Sequence, residues 1–135
     1  MRSFLFAVIA LVATGAAALE LAPYDSPKVT PEQFEQYHAA VAEELSDSHQ
    51  PYPEYALETY SDPVTRSSIA FTLPSHPAHP AWVTRQVAED ENGIYIEVSG
   101  FFAGDPTAFA RLLGQYQAIS AQATQKMQPS GALSP

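Results

Sequence analysis

The sequence predicts a small α+β domain of two layers, in the order α-β-β-β-α, with an antiparallel three-stranded meander and both helices packed on one face. Three observations carry this. Ile94, Ile96, Val98 and Phe102 alternate with Tyr95, Glu97, Ser99 and Phe101, the period-2 pattern of a strand with two unlike faces. Asn92-Gly93 stands just before that strand, a pair suited to a tight hairpin turn. Two helical patterns, each opened by a capping residue and a proline, flank the strands.

Before the domain, residues 1–18 read as a cleaved signal peptide. Arg2 supplies the positive end, Phe4 to Val12 is almost wholly apolar, and Ala16-Ala17-Ala18 offers small residues for cleavage. The apolar run ends by about Leu19, short for a membrane span, and Glu20 follows it. The expected location is the periplasm or the exterior, with no membrane anchor after cleavage. Residues 19–127 then form one domain, and residues 128–135 a polar tail bearing Pro and Gly.

Within the domain, Pro23 and Pro27 make the lead-in to Val29 irregular. Thr30, Pro31 and Gln33 form a capping box with proline at the first helical position. Phe34, Tyr37, His38, Val41 and Leu45 fall on one face of that helix. Ser46 to Pro63, punctuated by Pro51, Pro53 and Pro63, reads as a connector whose tyrosines Tyr52, Tyr55 and Tyr60 lie on the domain. Val64 to Leu73 reads as a strand with Ile69, Phe71 and Leu73 inward. Pro74 to Pro80 is a stiff loop, and Ala81 to Ala88 the next strand.

If Asn92-Gly93 is the two-residue turn, Val87 opposes Val98, Val83 opposes Phe102, Arg85 opposes Gly100 and Glu89 opposes Ile96. Asp105-Pro106 opens the last helix, which runs to about Lys126. Its apolar stripe is Phe109, Leu112, Leu113, Tyr116, Ile119 and Ala123.

Composition excludes several functions. The chain has no cysteine, which removes thiol redox chemistry, thiolate metal sites and lipid anchoring through cysteine. Its net charge is −9, and loss of Arg2 makes it more acidic, so nucleic acid and anionic membranes are repelled. No G-x-S-x-G motif and no Lys-Ser/Thr phosphate loop is present. No recognisable catalytic constellation is present, the sequence leaves any cofactor unknown, and no motif is specific to a known family.

Three functional readings remain. The favoured one is an exported non-enzymatic binding or interaction protein. Trp82, Tyr95 and Phe101 share the hairpin face expected to lack a helix, and would meet another protein or a second copy of the chain. Arg85, on the core-facing side, needs a partner: an anion, or a carboxylate such as Glu35 or Glu43. The second reading is a metal-binding protein using His76 and His79 of the His-Pro-Ala-His loop. In a polyproline II segment these project from one edge, roughly 9 Å apart at the backbone. The third is a small enzyme with His38 or Arg85 in a pocket between helix and sheet.

Overall fold

The computed structural model describes residues 19–127, and the signal and tail expectations lie outside them. Within them the chain forms helix α1 (Pro31–Glu44), strands β1 (Gln50–Tyr52), β2 (Leu57–Asp62), β3 (Ser67–Thr72), β4 (Ala81–Asp90) and β5 (Gly93–Phe102), and helix α2 (Pro106–Met127). The five strands make one antiparallel meander in sequence order. The class is α+β, but the sheet has five strands rather than three.

The two extra strands come from the segment expected to be a connector. Its prolines do not prevent pairing. Pro51 lies in β1, an edge strand, where a missing N–H costs no internal ladder bond. Pro53 opens a single 3₁₀ turn, and Ala56 in the left-handed region (φ 55°) turns the chain into β2. Tyr60 of β2 is buried, whereas Tyr55 is exposed. β3 starts at Ser67, not Val64. The Asp62 carboxylate accepts from the Val64 N–H at 3.0 Å and the Thr65 hydroxyl at 2.9 Å, closing a turn that leaves Val64 in solvent.

The β4–β5 hairpin is shifted by two residues from the expected register. Glu91-Asn92 form the turn, Asp90 pairs with Gly93, and Arg85 faces Val98 while Val83 faces Gly100. The Asp90 carboxylate accepts the Asn92 N–H at 2.8 Å, and the positive φ falls on Gly93 (124°). A shift of two residues keeps every side chain on its own face. Trp82, Tyr95 and Phe101 therefore do share a face.

The two helices pack on opposite faces of the sheet, which overturns the two-layer arrangement. α1 is capped as expected, with Thr30 Oγ1 accepting the Gln33 N–H and Gln33 Oε1 accepting the Thr30 N–H. Phe34, Tyr37 and Val41 of α1 join Tyr60, Ile69, Phe71, Trp82 and Phe101 in one core. Phe109 and Leu112 of α2 join Ala78, Ala81 and Val83 in a second core. Trp82 and Val83 are neighbours in one strand and so point to opposite faces. The first four residues of β4 are buried on both sides, as a strand covered twice must be. Ile119 of α2, expected in the apolar stripe, is 53% exposed.

Candidate functional site

The face expected to be open is closed. The Trp82 ring stacks on Tyr37 of α1 and on Phe101, with centroids 4.7 and 4.9 Å apart. Tyr24 of the lead-in meets both Trp82 and Phe101 edge-on. The lead-in is held there by main-chain bonds with β5: Val29 N–H to Phe102 O and Phe102 N–H to Pro27 O, both 2.8 Å. Trp82 and Phe101 are buried core residues, and Tyr95 is half-buried. A partner could reach the first two only by displacing α1.

The open surface lies on the other face. α2 runs along β5 and β4, leaving that side of β1, β2 and β3 without a helix. The residues aimed there alternate with the core set: Tyr52 from β1, Leu57, Thr59 and Ser61 from β2, Ser68 from β3 and Arg85 from β4. Leu112, Tyr116 and Ile119 of α2 form one wall of the groove, with Tyr55 and His76 along its margin. Its two main clefts hold about 640 Å³, beside Tyr55 and Ile119, and about 770 Å³, beside Arg85 and Ser61. A smaller cleft lined by Tyr52, Leu57, Ser68, Arg85 and Tyr116 joins them.

Arg85 is the chemical centre of this groove. The expected carboxylates, Glu35 and Glu43, belong to α1 on the other side of the sheet. Among the described residues the Arg85 side chain makes no ion pair and no hydrogen bond. Its guanidinium carbon stands 5.6 Å from the centroid of the Tyr116 ring, a cation–π contact. Burial raises the Tyr116 pKa; the Arg85 charge opposes that rise and Tyr52 adds to it. Gly100 is not opposite Arg85. It lies beneath Phe109, where a side chain would collide with that ring.

His76 and His79 are engaged separately. His76 borders the groove, and its Nδ1 accepts the Ala78 N–H at 2.9 Å. Burial, then the neighbouring His79, hold the His76 imidazole below its ordinary pKa. The His79 ring meets Phe34 of α1 edge-on, and its Nδ1 lies 2.8 Å from Thr72 Oγ1. Among the described residues no group of three or more His, Asp or Glu side chains is placed so that it could hold a metal ion.

One polar cluster was not visible in the sequence. Glu58 of β2 sits between two imidazoles: His38 Nε2 of α1 is 2.8 Å from one oxygen, and His49 Nε2, just before β1, is 2.7 Å from the other. Both carboxylate oxygens are thus occupied in tying α1 and the sheet edge together. The nine-residue interval between His49 and Glu58 would have pointed to this pair had β1 and β2 been read as a hairpin.

No family model, curated protein or solved structure matches this chain. No helix among the described residues is long and apolar enough to cross a membrane.

Proposed function

We propose that this protein is an exported, non-enzymatic binding protein, and that its ligand lies in the groove between α2 and the uncovered strands β1–β3. The observation that carries this reading is the shape of the second layer. One helix covers two strands of a five-stranded sheet, and the rest of that face carries Tyr52, Leu57, Thr59, Ser61, Ser68 and Arg85 beside the apolar wall of Leu112, Tyr116 and Ile119. Concave sites with mostly apolar walls and few polar groups suit ligand binding. Tyr55 and Ile119 are 65% and 53% exposed on the groove margin, where an occupant would cover them. The signal-like N-terminus supports export.

Native mass spectrometry of the protein recovered from its own exported extract tests the reading. A bound small molecule that is lost on Tyr55→Ser and Ile119→Ser substitution is the expected result. A bare mass, or a bound species indifferent to both substitutions, refutes it.

A further inference from the structure

We propose that the groove recognises an amphiphilic monoanion, a carboxylate joined to an apolar body, with Arg85, Ser68 and Ser61 seating the head group. This rests on the groove being the binding site and names the chemistry of its ligand. Arg85 pairs across the ladder with Ser68, and Ser68 with Ser61. The three stand in one row over three adjacent strands, on the face that α2 leaves uncovered. Strand spacing sets successive members about 4.8 Å apart. The row offers a guanidinium and two hydroxyls, and none of them is hydrogen-bonded among the described residues.

The surrounding charge favours an anion. A guanidinium in a groove needs a partner, and it matches a carboxylate in both geometry and charge. The one carboxylate bordering these clefts is Asp62, and its oxygens are taken by Val64 and Thr65. A chain with net charge −9 has thus left its half-buried arginine without an acidic neighbour. Arg66 borders the same cleft but is exposed to solvent, whereas Arg85 is half-buried, so one guanidinium stands on the floor. A single negative charge on the ligand matches it.

The apolar body follows from the other end. Beyond Tyr116 the cleft is bordered by Leu57, Leu112, Ile119 and Tyr55. A ligand with its head on Arg85 would lay its chain along these side chains, covering apolar surface that water now contacts.

The test is calorimetric titration of the exported protein with decanoate and with decanol, read together with methyl NMR of Leu112 and Ile119. Decanoate is expected to bind and perturb these methyls, with decanol at least tenfold weaker. Arg85→Gln should weaken decanoate to the level of decanol, Arg85→Lys should retain part of the preference, and Ser68→Ala should weaken decanoate about threefold, in line with loss of a hydrogen bond to an ion. The Arg85 side chain holds no hydrogen bond, so each variant should keep the parent's fold, with amide shifts confined to residues around the substitution. Equal binding of decanoate and decanol at the groove methyls would overturn the anion inference and leave the groove reading standing. Binding of decanoate alone, undiminished by Arg85→Gln, would also overturn it. No perturbation of the methyls by either probe at millimolar concentration would refute both readings.

Discussion

Gly100→Ala is a direct probe of the layering, because it adds one methyl group where α2 presses on the sheet. A Cβ at residue 100 would lie 2.8 Å from Cζ and 3.0 Å from Cε1 of Phe109, and 3.0 Å from the Trp82 carbonyl oxygen. Carbon atoms in good contact stand about 3.5–4.0 Å apart, so the ring must retreat. It has little room to do so. Phe109 is 6% exposed and stacks on Phe102 with centroids 4.7 Å apart. Overpacking of this kind costs about 1–3 kcal/mol. Alanine should regain about 0.5–1 kcal/mol from the smaller backbone entropy lost on folding. The clash wins, and a net loss of about 1–2 kcal/mol is expected in urea denaturation. Phe109→Leu removes the far end of the ring. In that background Gly100→Ala should cost far less, giving a coupling of about 1 kcal/mol in a double-mutant cycle. A Gly100→Ala protein as stable as the parent, or an equal penalty in both backgrounds, would refute the placement of α2 over Gly100 and with it the three-layer order.

Three further outcomes follow from the same geometry. Glu58→Ala removes the shared acceptor of His38 and His49; with both imidazoles part-exposed, the loss should be about 1–2 kcal/mol, and hydrogen exchange should quicken at the Gln50 and Tyr52 amides. The folded state holds His76 below its ordinary pKa, so the unfolded chain takes up that proton first as pH falls through about 6.5; the stability His76 contributes is complete above this range and lost below it. The measurement is stability against pH for the parent and His76→Gln: the variant should show the shallower fall between about pH 7 and 5, and parallel curves would contradict the expectation. Thr30→Ala breaks the capping box of α1 and should cost about 1 kcal/mol in urea denaturation, with Thr30→Ser recovering most of it.

What depends on neighbours along the chain was legible in the residues alone. The capping box at Thr30, the Asp105 cap of α2 (its carboxylate accepts the Ala108 N–H at 2.7 Å) and the two long strands are local matters of hydrogen bonding and periodicity. The shared face of Trp82, Tyr95 and Phe101 was also legible, because alternation survives a register shift of two. Which face each helix covers depends on packing between elements far apart in the chain. Ala81, Trp82, Val83 and Thr84 are all buried, a pattern that requires a layer on both sides, yet an alternating apolar strand reads equally well with one layer. β1 and β2 were hidden because Pro51 and Pro53 interrupt the strand pattern, which an edge strand tolerates, and because β2 is held by its ladder to β3, out to Leu57 opposite Thr72. The same long-range placement sets α1 over Trp82 and closes that surface. It also carries Glu35 and Glu43 to the far side of the sheet from Arg85, leaving that guanidinium in a groove lined by residues from β1 to α2 that no local pattern connects.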